Sequence, residues 1–277
     1  MKKLMFLLSV CLLLTACASA PGPEEVILPA EEQPTCGPGV PYGMVCRIVD
    51  GAEEGELLLA EADSDAPAVY TLSLTEDIRH LPEEPLRNGH LIHIAYRSVL
   101  ETYPAQLADV SDISIVDGGF DDRCALYLGV LEDLWEVDPG LNDGVEFIGM
   151  DLSQTGLTPA EQAAVSWAFA GNHGAELVEG TVEDLVEQGW ITATPLSTCG
   201  SGQDFNEPEH YFYEWETGCH YSITEQPVDG SYSLVPVTFD ARKWRSSLGA
   251  YYFCDCTAVQ SALGEWSDYE IRSEAIS

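Results

Sequence analysis

The run Asn88-Gly89-His90-Leu91-Ile92-His93-Ile94-Ala95-Tyr96 is a turn followed by an alternating strand, and the fold of the first half of the chain hangs on it. Asn-Gly supplies residues that tolerate positive φ in a tight turn. Beyond it successive side chains point to opposite faces, so His90, Ile92, Ile94 and Tyr96 share one face while Leu91, His93, Ala95 and Arg97 share the other. The first set reads as core. Strand signals surround it at Met44–Val49, Glu56–Ala60, Val69–Leu74 and Asp112–Val116, with turns at Asp50-Gly51 and Asp63-Ser64-Asp65 between them. Five short strands around one apolar face predict a small OB-like β-barrel over residues 43–116.

Together with Leu100-Glu101-Thr102-Tyr103-Pro104-Ala105-Gln106, the opening run resembles a family of small secreted Firmicutes domains of unknown function. That family reads Gly-Asp at the turn into this strand and Glu-Ser-Tyr-Pro-Ala-Gln before the last one; here His90 replaces the Asp and Thr102 the Ser. The resemblance implies a β-barrel on a tether and brings no activity with it.

Asp117-Gly118-Gly119-Phe120-Asp121-Asp122 interrupts the strand pattern, and Leu128, Leu131, Leu134 and Trp135 then recur with helical period. A second domain is therefore expected over 122–277. Val145–Leu152 reads as a strand. Thr158-Pro159-Ala160-Glu161 is a capping box with Pro at the first helical position, followed by Ala164, Val165, Ala168 and Phe169 on one face. Thr181 caps a shorter helix with Leu185 and Val186 inward and Gly189 at its end. Strands follow at Tyr211–Trp215, Cys219–Thr224, Val235–Phe239, Ala250–Thr257 and Trp266–Ile271, which predicts an α+β domain with an antiparallel sheet. The stretch Phe239–Tyr251 resembles C-terminal segments of predicted lipoproteins of gut clostridia, again without a function attached.

The chain begins with Lys2 and Lys3 and an uninterrupted apolar run, Leu4–Leu14, the pattern of a secretion signal. Its eleven residues are too few to stay as a membrane span, which needs about 20. Leu14-Thr15-Ala16 before Cys17 matches the lipobox of bacterial lipoproteins; Ala18-Ser19-Ala20 is the alternative, suited to ordinary signal peptidase. On the favoured reading residues 1–16 are removed, Cys17 carries two acyl chains that hold it to the cell membrane, and the protein faces out of the cytoplasm. Residues 17–42 then form an acidic tether punctuated by Pro21, Pro23, Pro29, Pro34, Pro38 and Pro41.

Loss of Lys2 and Lys3 leaves nine basic residues against 47 acidic ones, a net charge of −38. Nucleic acid is excluded as a partner, because phosphate contacts need clustered Lys and Arg. Against this background Arg242-Lys243-Trp244-Arg245 stands out, with three of the nine basic residues in four positions. Arg offers a bidentate fork and Trp a stacking platform, so the segment is a candidate site for an anionic envelope ligand. On a strand, however, Arg242 and Trp244 face one way and Lys243 and Arg245 the other, and cations paired with neighbouring acids are the competing reading.

Seven cysteines remain besides Cys17. Cys36 and Cys46 bracket the turn-rich Gly37–Gly43, and a bridge between them would add roughly 3 kcal/mol. Cys254-Asp255-Cys256 places two thiols on one strand face in the same domain as Cys199, His210, Cys219 and His220, yet the spacing is not that of a zinc site, and neither metal nor cofactor is expected. His90 and His93 fall on opposite strand faces. Asp138–Gly144 departs from a calcium loop because Pro139 would take the first ligand position, and it reads as a helix stop. No nucleophile elbow, His-Glu-x-x-His or phosphate-binding glycine loop is present. The sequence thus points to a lipid-anchored binding or interaction module, with an envelope hydrolase or thiol/metal-dependent enzyme in the C-terminal domain as the alternative.

Overall fold

Glu161 and Arg47 show how the two halves are joined. In the computed structural model, which describes residues 41–62, 64–196, 211–226 and 236–277, the Thr158 hydroxyl accepts from the Glu161 amide and a Glu161 carboxylate oxygen accepts from the Thr158 amide at 2.9 Å. The other oxygen of Glu161 takes the Arg47 Nε–H at 2.8 Å. Arg47 lies 114 residues away on the first strand, β1 (Tyr42–Asp50), and its Nη1 donates to the carbonyls of Gly89 and Gly119 at 2.9 and 2.8 Å. One guanidinium therefore ties the first sheet to the connecting loop and to a helix start.

The first sheet contains β1 (Tyr42–Asp50), β2 (Glu56–Glu61), β3 (Val69–Ser73), β4 (Leu91–Tyr96), β5 (Ser98–Leu100), β6 (Ala105–Ala108) and β7 (Asp112–Ile115). Their order is β5-β6-β3-β2-β1-β4-β7, with β3 and β6 parallel and the other neighbours antiparallel. The alternation in β4 is as expected: Ile92 and Ile94 are buried and His93 is exposed. They pack with Cys46, Ile48, Leu57 and Leu59, all fully buried, and each such aliphatic side chain contributes about 1.5–3 kcal/mol by leaving water. The turn before β4 is pinned by Asn88, which accepts from the Ala52 amide and donates to Asp50. Gly89 has φ +93°, and a Cβ there would strike Asp122, so only glycine lets this turn approach the start of the second half. The small OB-like barrel is not obtained in closed form: the pairing path is open, with β5 and β7 at its two ends.

The second half comprises α1 (Arg123–Glu136), a 3-10 turn (Pro139–Asn142), β8 (Phe147–Gln154), α2 (Pro159–Asn172), β9 (Glu176–Glu179), α3 (Val182–Glu187), β10 (Thr192–Pro195), β11 (Tyr211–Glu214), β12 (Gly218–Gln226), β13 (Pro236–Ser246), β14 (Gly249–Val259) and β15 (Ser273–Ile276). The strand order is β10-β11-β13-β12-β8-β9, and β14 pairs with β13 and β15. An antiparallel sheet was expected and the sheet is mixed, because α2 is the crossover of a β8-α2-β9 unit and both β9 and β12 run parallel to β8. Trp266–Ile271, expected as a strand, makes only isolated bridges, and the terminal strand falls later. The molecule is mostly β-sheet with few helices.

Residues Gly39–Ser277 form one compact unit. The helices face a core in which Val49, Leu58, Ala60 and Val69 from the first sheet join Tyr127, Leu131, Phe169, Tyr221 and Phe239 from the second half. Leu57 and Leu59 thus point into one core and Leu58 and Ala60 into the other, which explains why Leu57–Ala60 is continuously apolar.

Candidate functional site on the outer face of the second sheet

β13 carries the basic segment and splits it. Val237, Phe239, Ala241 and Lys243 alternate onto the face covered by α1 and α2, and Arg242 and Trp244 fall on the other. Lys243, the one lysine of the chain besides Lys2 and Lys3, is fully buried. Its ammonium donates to the carbonyls of Trp135, Val137 and Asp138 at 3.1, 2.8 and 3.3 Å. These are carbonyls that the end of α1 leaves without helical partners, and a cation there also suits the helix dipole. Burial pulls the lysine below its ordinary pKa. Arg245 is equally committed, donating to the Leu141 and Asp143 carbonyls in the loop after α1 and to the Glu216 backbone carbonyl at 2.6 Å. The Asp138–Gly144 loop is a helix stop: Asp138 adopts φ 44° and starts the 3-10 turn that presents these carbonyls.

Arg242 is different. Its guanidinium lies over the rings of Trp244 and Tyr252, at 5.7 and 5.6 Å, and its Nε is buried with no hydrogen-bond partner. Ser222 on β12 is its register partner, Asp151 on β8 stands across from Ser222, and His220 is opposite Trp244. His220 is buried, donates from Nε2 to the Gly180 carbonyl at 2.9 Å and leaves Nδ1 without a partner. Burial, and next the Arg242 charge, lower its pKa. The room for this imidazole comes from Gly149, where a Cβ would sit 2.9 Å from His220 and 2.7 Å from Trp215. Trp215 and Trp244 pack with Leu185 of α3 into a small apolar cluster beside it. The face thus offers a cation backed by two rings, a hydroxyl and an unpartnered imidazole nitrogen. Chemically that set can receive an anionic group carrying further hydrogen-bonding atoms.

Among the described residues the thiols do not converge, and Cys199 and His210 lie outside those residues. Asp255 takes φ 53° in a bulge of β14 opposite Asp240, so Phe253 and Cys256 enter the core and Cys254 stays half-exposed. Burial raises the Cys256 thiol to about 12 and the Cys219 thiol to about 11. Both are protonated near neutral pH and poor nucleophiles. Cys46 is a free, fully buried thiol in the first core, raised by burial and then by Glu61; Cys17 and Cys36 lie outside the described residues. His90 is buried and accepts the Arg87 amide through Nδ1. Among the described residues no three His, Cys, Asp or Glu side chains are grouped to hold a metal ion.

Tyr252 and Ser222 were not singled out by the sequence, and His220 was weighed there only as a zinc ligand. The partners of Arg242 depend on cross-strand register, for which the chain carries no local signal. The chain matches no protein-family model, no curated protein and no solved structure.

Proposed function

We propose that the protein is an extracytoplasmic lipoprotein, held to the cell membrane through Cys17, that acts as a binding module and takes an anionic envelope ligand at Arg242. The observation that supports this most is the state of Arg242: in a chain with 47 acidic residues, its guanidinium has no acidic partner among the described residues and instead lies near the rings of Trp244 and Tyr252, with Nε buried and unpartnered. A buried donor without a partner costs about 1–3 kcal/mol, which a bound anion would recover. At long range the protein repels anions, so recognition must be local. Arg242 with Trp244 is the part of the predicted segment that suits this role, Lys243 and Arg245 being engaged by carbonyls.

The OB-like reading of the first sheet belongs to the same proposal. Only Arg97 separates β4 from β5, and three residues separate β6 from β7. Taken as two bent strands paired along their length, they would bring the path from β1 through β2, β3 and the β6–β7 strand back to β4 and β1.

Calorimetry with teichoic acid fragments and muropeptides tests the site. Arg242→Gln should weaken binding about tenfold or more, since a charge-assisted hydrogen bond contributes roughly 1.5–3 kcal/mol; equal binding by the variant would overturn the assignment. Mass spectrometry of the mature amino terminus tests the anchor: a diacylglyceryl-modified Cys17 is expected, and an unmodified terminus at Pro21 would refute it.

A further inference from the structure

A second concave surface lies away from Arg242, where α2 meets the first sheet. A cleft of about 330 Å³ is lined by Asp50, Glu56, Leu58, Trp167 and Gly171. A neighbouring cleft of about 500 Å³ is lined by Tyr103, Trp167, Gly171, Glu176, Leu177 and Glu179. Trp167 and Gly171 belong to both, which makes them one groove with the half-buried tryptophan along its course. Tyr103 is 61% exposed at its rim. Among the described residues no Lys, Arg or His lines either part, and four carboxylates do. Along one side runs β9, the last strand of its sheet, whose outer edge pairs with no described strand.

Aromatic rings and carboxylates without a cationic partner among the described residues complement a cation, and the charge of the whole chain draws cations toward the groove. A free strand edge supplies main-chain hydrogen bonds to an extended chain. The protein's own tether is a poor occupant, because residues 17–40 contain Glu24, Glu25, Glu31 and Glu32 and no Lys or Arg. We infer that the groove receives an extended basic segment of a partner protein, which adds to the edge of β9 and sets Lys or Arg side chains against Trp167, Glu176 and Glu179. This goes beyond the anion site and uses none of its residues.

The inference is tested by calorimetry on the full chain in a non-ionic detergent, with an alternating Lys-Val octapeptide, its Glu-Val counterpart and a Lys-Val peptide N-methylated at alternate amides. The Lys-Val peptide should bind, more weakly as salt rises, and at least about tenfold more tightly than the Glu-Val and the N-methylated forms. Gly171→Leu fills the groove at a position where an added Cβ meets nothing within 4 Å. It should retain its near-ultraviolet circular dichroism and lose about tenfold or more in affinity. The double variant Glu176→Gln, Glu179→Gln should lose a similar factor, while Arg242→Gln should bind the Lys-Val peptide as the parent does. Absence of binding, equal binding of the Glu-Val peptide, indifference to N-methylation, or undiminished binding by a folded Gly171→Leu variant would each overturn it.

Discussion

The two faces of β13 put the same kind of residue to opposite uses. On the covered face Lys243 has three donors and three carbonyls to receive them, and it closes the end of α1. On the other face Arg242, one residue earlier, has rings beside it and a buried Nε with no polar partner among the described residues. A buried cation whose hydrogen bonds are complete belongs to the architecture. One that is desolvated and incomplete has its binding capacity in reserve. The strand's two-residue period alone separates the roles.

Three measurements sharpen or break that contrast. The largest effect belongs to the covered face: Lys243→Ala opens a hole at the end of α1 and leaves the Val137 carbonyl without a partner among the described residues, while the Trp135 carbonyl keeps Asn142 and the Asp138 carbonyl keeps the Leu141 amide. A loss of about 3 kcal/mol is expected in urea denaturation. A loss below about 1 kcal/mol, the range of an exposed polar contact, would show that water can replace the ammonium there.

Intermediate in size is a pH effect through His220. Burial lowers its pKa from an ordinary 6.5. Above pH 6.5 folded and unfolded chains both carry it neutral, so it contributes no pH dependence. Below that value the unfolded chain takes up a proton that the folded chain refuses until its own lower pKa is passed. Stability therefore falls with acid through this window, by up to about 1.4 kcal/mol per pH unit. His220→Gln should flatten the slope between pH 6.5 and 5. An unchanged slope would move the sensitivity to His90, the other buried imidazole held low.

The smallest expected effect is on the outer face. Arg242→Gln should shift stability by no more than about 1 kcal/mol, because no hydrogen bond or ion pair within the described protein is lost, only ring contacts. A loss as large as that of Lys243→Ala would make Arg242 a structural residue as well and end the distinction.

Much of the strand framework was legible because it rests on local signals. Ile92, Ile94 and His93 follow their alternation, and the capping box at Thr158 and Glu161 forms as the spacing predicts. A second capping box, at Thr181 and Asp184, has the same logic. β9 was missed: Glu176-Leu177-Val178-Glu179 is only four residues, and it becomes a strand because α2 delivers it parallel to β8. The parallel pairing of β8 with β12 is likewise set by topology, not by local propensity. Lys243 was read together with Arg242, Trp244 and Arg245 as a candidate anion site because nothing near it in sequence announces the three carbonyls some 105 residues earlier. Cys254 and Cys256 were placed on one face by simple alternation, and the left-handed Asp255 undoes it.

Arg47 acquires a mechanical meaning from where it sits. β1 is the first strand described and lies between β2 and β4, antiparallel to both. Tension arriving from the amino-terminal side would run along β1 and across its hydrogen bonds, loading both ladders in shear together instead of peeling them one bond at a time. Midway along that strand, Arg47 passes part of the load sideways to the Gly89 and Gly119 carbonyls and to Glu161 at the head of α2. A body pulled from its amino-terminal side would resist as a whole, since a residue that ties the first sheet to α2 is on the strand that takes the pull.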